Sequence, residues 1–323
     1  MKYVEIDGVS KPISRLVQGS IGIVSADDID GSFAMLDKML EHGVNIIDTA
    51  HGYGRGDVER VVGRWINDRG VRDKMTLIAK GAHPYGDRPR VTHYDIEADI
   101  NDSLARFKTD YLDIYLLHRD NPDVPVGPIV EKLNEYHEKG IIGVYGGSNW
   151  SVPRIREAIT YAKEHSLQPF SISSPNFSLA DQVAEPWPDC LTISGPSKTE
   201  ERNWYAEQNM PLFTWSSMAG GFFSGRFQRD NLDQFDTYAD KIVVNSYISE
   251  DNFKRLDRAQ ELASEKGVTV AQIAVAYVFN YPLNIFPLVS SRTEDELKQN
   301  IAAMELELTQ AEMDWLDLRS DSR

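Results

Sequence analysis

The chain has 323 residues, 41% hydrophobic and 26% charged, enough for one large α/β core; a barrel takes about 250 residues or more. The net charge of −16 excludes nucleic acid and anionic membranes as partners, since both require basic patches. Cys190 is the single cysteine, which excludes an intrachain disulfide framework and a cysteine-rich metal site. No apolar run approaches the length of about 18 residues that crosses a bilayer, and residues 1–7 alternate like a strand rather than forming a signal peptide's apolar core. These features predict a soluble, cytoplasmic protein.

Residues 4–13 read as a small hairpin with Asp7-Gly8 at its turn. A short strand over 15–19 ends in glycine, and 27–42 is an amphipathic helix with Phe33, Leu36, Met39 and Leu40 on one face. The apolar run at 44–47 reads as a buried strand that stops at Asp48; a loop follows in which Tyr53 lies between two glycines. A helix over 56–68 turns Val58, Val61, Val62 and Trp65 inward. A strand over 75–79 ends at Lys80, a helix over 92–107 follows, and a strand over 111–117 ends at His118. Next come a helix over 129–138, a strand over 141–146 leading to Gly147-Ser148-Asn149, a helix over 152–164 and a strand over 170–173. The remaining elements are a helix over 199–208, a strand over 211–215, helices over 251–266 and 270–279, a strand over 285–289, and helices over 293–304 and 310–317.

From Arg15 onward, eight strands alternate with helices. That rhythm predicts parallel strands joined by right-handed crossovers, and eight such units close a (β/α)8 TIM barrel. The N-terminal β-hairpin and the extra C-terminal helices lie outside the repeat. No stretch reads as a linker, so residues 1–323 are expected to form a single domain. Residues 175–196 and 220–249 are too long for plain connections and read as functional covers.

Asp48, Lys80 and His118 share one property: each immediately follows an apolar strand, and the strands are the second, third and fourth. Neighbouring parallel strands put such tips roughly 5 Å apart. Taken singly, Asp48 reads as a turn cap, His118 as a core histidine, Tyr53 as a loop aromatic, and Asp48 with Lys80 as a pair that braces the barrel. Together, at one end of consecutive strands, they point to a shared site. A cation beside a phenol lowers its pKa from about 10, so Lys80 can make Tyr53 a usable acid while Asp48 holds Lys80 in place. His118 can donate a hydrogen bond to an oxygen that gains charge. No side chain here carries electrons, so reducing a carbonyl requires a cofactor that brings the hydride.

At this point the chain resembles the aldo-keto reductase family. The resemblance rests on Asp48-Thr49-Ala50 with Tyr53-Gly54, Lys80 at its strand end, His118 after Tyr115-Leu116-Leu117, and Gly147-Ser148-Asn149. It implies NAD(P)H-dependent reduction of an aldehyde or ketone, such as a sugar or small aldehyde, with Tyr53 as general acid, Lys80 and Asp48 tuning it, and His118 orienting the carbonyl. The resemblance also implies cofactor contacts. Ser148 and Asn149 match residues that hydrogen-bond the nicotinamide amide. Ser174 stands where the family usually has glutamine, and Trp215 where a tyrosine stacks on the nicotinamide ring. Ser216, Ser217, Ala219 and Gly221 resemble the pyrophosphate-binding turn. Ser290, Ser291 and Arg292 match the 2′-phosphate segment, and Asn300 matches the adenine contact. Glu296 stands where strongly NADP-selective members often carry arginine, so NADP(H) is favoured while NAD(H) is kept as the alternative.

Candidate substrate-lining residues are Ile21, Ile23, Tyr53, His83, Trp150 and Trp187, with His51, His83, Arg119 and Asp120 as a polar rim. The expected partner is a small-molecule carbonyl substrate, with neither nucleic acid nor membrane and no metal. A rival metal site would use Asp48, His51, His118 and Asp120, but Lys80 would intrude a positive charge among the ligands. A second rival is a cofactor-bound sensor or partner-binding subunit with little turnover.

Overall fold

Residues 1–86 and 88–323 are described by the computed structural model, and among them the alternation resolves into ten β-strands and eleven α-helices. The chain opens with β1 (Tyr3–Val4) and β2 (Ile13–Ser14), an antiparallel pair with Tyr3 opposite Ser14 and Val4 opposite Ile13. The turn falls at Asp7-Gly8 as expected: the Val9 N–H donates to the Ile6 carbonyl at 2.9 Å, and Gly8 takes φ +86°. The ladder is shorter than the predicted alternation. Pro12 has no N–H to donate, and Lys11 is drawn into an ion pair with Asp113 at 2.8 Å.

The described residues fall into two compact units. The first comprises Met1–Ser174 with Ser290–Leu297. After the opening pair it runs β3 (Val17–Gly19), α1 (Ile29–Glu41), β4 (Ile46–Asp48), α2 (Asp57–Arg69), β5 (Thr76–Gly81), α3 (His93–Phe107), β6 (Leu112–Leu117), α4 (Val126–Glu138), β7 (Ile142–Ser148), α5 (Val152–Glu164) and β8 (Ile172–Ser174). Successive strands from β3 to β8 pair in parallel. Every residue of β5, β6 and β7 is buried, which is why they read as continuous apolar runs rather than alternating ones. Helix starts follow local chemistry: Thr92 accepts from the Asp95 N–H and Ser151 from the Arg154 N–H, each satisfying a donor that the helix leaves unpaired.

The second unit comprises Pro175–Val289 with Lys298–Arg323. It carries α6 (Thr199–Gln208), β9 (Leu212–Thr214), α7 (Tyr238–Tyr247), α8 (Glu250–Lys266), α9 (Val270–Asn280), β10 (Ile285–Val289) and α11 (Gln310–Leu316); α10 (Glu294–Ala303) begins in the first unit and ends in this one. The strand order β10-β3-β4-β5-β6-β7-β8-β9 closes an eight-stranded barrel. The (β/α)8 class, the N-terminal pair and the C-terminal helices expected from the sequence are all present.

Most predicted bounds shift by one or two residues, as in β3, β4, β7 and β9, and three elements show particular differences. Helix α4 begins three residues earlier than the predicted 129, because Pro128 sits in its first turn, where a missing N–H costs nothing. The strand predicted over 170–173 is β8, Ile172–Ser174. The segment 220–249, read as an irregular cover, contains α7, capped by the Thr237 side chain accepting from the Asp240 N–H. Its inward positions are Val243, Ser246 and Tyr247; the serine interrupts the apolar stripe that would have announced a helix.

Candidate active site

Asp48 ends β4, and its register partner on β5 is Ile78. Lys80 lies two residues farther along β5, on the same side of the pleat as Ile78, and pairs with Leu116 of β6. Gly81 and Leu117 come next in register, and the His118 N–H donates to the Gly81 carbonyl at 2.7 Å. This stagger carries the three tips to one end of the strands. The Lys80 Nζ meets Asp48 Oδ1 directly, with both side chains buried.

Tyr53 enters from the loop beyond β4. The Lys80 Nζ lies 5.4 Å from the centroid of its ring. The Tyr53 and His118 rings meet edge to face, with centroids 5.7 Å apart. The structure therefore brings Asp48, Tyr53, Lys80 and His118 into one cluster. The loop reaches that position through left-handed turns at Gly54 (φ +56°), Arg55 (φ +55°) and Gly56 (φ +92°).

Burial pushes the Asp48 carboxyl above the ordinary carboxylate range and the Lys80 ammonium below the ordinary lysine range; the attraction between them works against both displacements. His118 is held well below the ordinary imidazole value, first by burial and then by the positive charges of Lys80 and Arg119 and by His83. Its ring is therefore neutral at pH 7, with one nitrogen protonated and one bare. The buried Nδ1 has no hydrogen-bond partner among the described residues.

Ser148, Asn149 and Ser174 also come together. The Ser174 carbonyl accepts from the Ser148 hydroxyl at 3.0 Å and from the Asn149 N–H at 3.2 Å. The Asn149 side-chain amide donates to the His118 carbonyl at 3.3 Å, which ties this group to the tetrad, and Asn149 holds a left-handed φ of +59°. Ser290, Ser291 and Arg292 follow β10. Ser291 is buried, while Ser290 and Arg292 are exposed. The Arg292 guanidinium runs beside Gly22, where an added Cβ would lie 3.6 Å from Nε.

In the second unit Trp215 follows β9, and its N–H donates to the Pro175 carbonyl at 3.3 Å. Ser216 (φ +52°), Ala219 (φ +52°), Gly220 (φ +64°) and Gly221 (φ +101°) are all left-handed. The Ser217 hydroxyl donates to the Thr214 carbonyl at 3.0 Å. Within this turn the Ala219 N–H donates to the Ser216 carbonyl at 2.7 Å and the Gly221 N–H to the Met218 carbonyl at 3.0 Å, while a Cβ at Gly221 would meet nothing within 4 Å. The Trp215 Nε1 is buried without a hydrogen-bond partner among the described residues. Asn300 is buried on α10. These residues fit a phosphate-bearing nucleotide with a ring to stack. The first turn of α10 fits one less well, since it carries Glu294, Asp295 and Glu296.

A model of the aldo/keto reductase family matches residues 25–318. The chain belongs to the aldo/keto reductase family. As a member of that family it is an NAD(P)-dependent oxidoreductase, and small-molecule carbonyl compounds are the family's substrates. A probable voltage-gated potassium channel subunit beta from Oryza sativa subsp. japonica is 24% identical, over 95% of this chain and 92% of that protein. The uncharacterized oxidoreductase YrpG of Bacillus subtilis (strain 168) is 23% identical, again over 95% and 92%. The aldo/keto reductase from Klebsiella pneumoniae, solved in complex with NADP and acetate, has the same fold, with a TM-score of 0.71, 24% identity and coverage of 95% and 92%.

Within this aldo/keto reductase the predicted polar rim is largely engaged in the protein itself. His51 Nε2 lies 3.0 Å from Asp102 Oδ2. Asp120 pairs with Arg154 at 3.0 Å. Arg119 is buried and donates to the His118 carbonyl at 2.8 Å. Only His83 of the four is exposed, its ring edge to face with His118 at 4.8 Å. Of the rival metal ligands, Asp48, His51 and Asp120 are paired with Lys80, Asp102 and Arg154, and among the described residues no group of three or more His, Cys, Asp or Glu side chains is placed to hold an ion. No helix among them is long and apolar enough to cross a membrane.

The sequence reading did not single out a polar stripe on α3. Asp99, Asp102 and Arg106 reach toward the Tyr53 loop and the end of β5, and Ser103 reaches Glu59 on α2. Their spacing of three, four and seven from Asp99 is helical and legible in the sequence, but a polar stripe at that spacing ordinarily marks a solvated helix face.

Proposed function

We propose that this chain reduces an aldehyde or ketone to the alcohol, with Tyr53 as the general acid. The observation that carries the reading is the Lys80 ammonium, paired with Asp48 and 5.4 Å from the Tyr53 ring centroid. A nicotinamide nucleotide, when bound, would supply the hydride for the carbonyl carbon. As negative charge gathers on the carbonyl oxygen, the Tyr53 hydroxyl gives it a proton. Lys80 lowers the cost of the phenolate left behind, and Asp48 keeps Lys80 in place. Neutral His118 donates one ring hydrogen to the same oxygen, orienting it before and stabilising it during the transfer. In the reverse direction the phenolate takes the proton back.

Ser148, Asn149 and Ser174 are the residues we assign to the nicotinamide amide, and Trp215 to the face of the ring. Ser216, Ser217, Ala219 and Gly221 would take the pyrophosphate, and Ser290, Ser291, Arg292 and Asn300 the adenosine end. NADP(H) is the favoured form, supported by the Klebsiella pneumoniae relative solved with NADP; NAD(H) is the alternative, supported by the acidic first turn of α10. A panel of aldehydes, ketones and sugars with NADPH and NADH, followed at the reduced-cofactor absorbance, tests the reading. Tyr53→Phe should abolish turnover and leave cofactor affinity close to wild type; retention of most activity would place the acid elsewhere.

The likeness to a probable channel subunit supports a second reading, a cofactor-bound partner subunit with little turnover. It requires cofactor to remain with the protein through purification and every carbonyl in the panel to be turned over negligibly.

A further inference from the structure

We propose that α3 is a brace that sets the distance between Tyr53 and Lys80, with Arg106 as its positioning residue. This rests on the reading of Tyr53 as the acid. The loop that carries Tyr53 has glycine on both sides, at 52 and 54, and glycine is the residue least able to hold one backbone conformation. Its geometry must come from outside, and Arg106 supplies it at both ends. At one end Arg106 Nη1 donates to the His51 carbonyl at 2.9 Å. At the other its guanidinium lies flat against Gly56, where a Cβ would sit 2.6 Å from Cζ. The same Nη1 donates to the buried Glu59 carboxylate at 2.9 Å, and Ser103 donates to the other oxygen of Glu59 at 2.7 Å, which anchors Arg106 itself.

His51 is held from two further directions. Its N–H donates to the Lys80 carbonyl at 2.8 Å, and its ring reaches Asp102 at 3.0 Å. One turn earlier on α3, Asp99 accepts from the Ala82 N–H at 2.8 Å and fixes Ala82 in a left-handed conformation (φ +58°), two residues after Lys80. Asp99 is itself bound by Arg90 and lies 3.6 Å from the His51 ring. One helix thus grips the loop of the acid and the strand end of its cation.

Arg106→Lys keeps a cation beside Glu59 but cannot also reach the His51 carbonyl and cover Gly56. The expected result is a fall in kcat of about tenfold, the scale of a small misplacement of a reacting group. KM for the carbonyl and the NADPH dissociation constant from fluorescence quenching should stay within about twofold. The Tyr53 ionisation, read as an ultraviolet difference titration against Tyr53→Phe, should move upward as the phenol drifts from Lys80. Asp102→Asn, at an exposed position, should lower kcat in the same sense by a smaller factor. An unchanged kcat and phenol titration in both variants overturns the brace, as does a loss of cofactor affinity in step with kcat. If Tyr53→Phe itself stays active, the reading of the acid has failed; if it is inactive and both brace variants behave as wild type, only the brace has.

Discussion

The Glu296 carboxylate accepts a hydrogen bond from the Arg292 backbone N–H at 2.7 Å, while the Glu296 N–H donates to the Thr293 hydroxyl at 3.2 Å. The reciprocal pair resembles a capping box. A negative charge therefore already occupies the amino end of α10, where a helix otherwise welcomes an anion.

This predicts a graded cofactor preference. Glu296→Gln should strengthen NADPH binding relative to NADH, and Glu296→Arg should do so further, by about tenfold or 1.4 kcal/mol. Arg292→Ala should weaken NADPH more than NADH. Dissociation constants from quenching of protein fluorescence measure both, and equal effects on the two cofactors would remove these residues from the recognition of the 2′-phosphate.

The Asp48–Lys80 pair should cost stability rather than supply it. The Asp48 carboxyl is raised on folding, so its contribution declines as pH rises above the ordinary 3.8. The Lys80 ammonium is lowered, so its contribution declines as pH falls below the ordinary 10.5. Both declines are in force at pH 7. Lys80→Met alone should destabilise by about 3–5 kcal/mol, because it strands a buried carboxylate. Asp48→Asn combined with Lys80→Met should recover that loss in full, matching or exceeding wild type, while remaining inactive. Urea melts of the three proteins decide it; a double variant no more stable than Lys80→Met would show that the pair does stabilise the fold.

His118 should make the protein acid-sensitive. Its folded pKa lies well below the ordinary 6.5, so stability is full above pH 6.5. It is lost as pH falls below that value, by up to about 1.4 kcal/mol per pH unit, until the folded pKa is reached. His118→Phe should flatten this part of the curve. The profile of kcat/KM should show no limb near pH 6.5 from this residue, and a limb there that disappears in His118→Asn would contradict the neutral ring.

Trp187 Nε1 donates to the Tyr238 hydroxyl at 2.9 Å, joining the segment after β8 to the start of α7. Both side chains are exposed, at 39% and 73%, so the bond should contribute little to global stability. Tyr238→Phe is expected to raise amide exchange and protease cleavage around residues 183–189 and leave the thermal midpoint nearly unchanged. Unaltered local exchange would mean that the segment is held by other contacts.

The sequence by itself determined the barrel and which four side chains cluster, Asp48, Tyr53, Lys80 and His118. Parallel strands covered on both faces must be apolar throughout, so Asp48, Lys80 and His118 stand out as the places where such runs stop. The helix α7 was not legible, because a buried serine at 246 breaks its stripe. Nor was the fate of His51, Arg119 and Asp120, which looked like a rim and are engaged by Asp102, the His118 carbonyl and Arg154. Asp102 and Arg154 lie one or more elements away from His51 and Asp120 in the chain, and only the packing of helices on the sheet decides which of these charges meet; Arg119 turns back on its own neighbour. The grip of Arg106 on both ends of the Tyr53 loop is of the same kind. A periodic pattern shows which face of a helix turns inward, and the tertiary structure alone shows what that face touches.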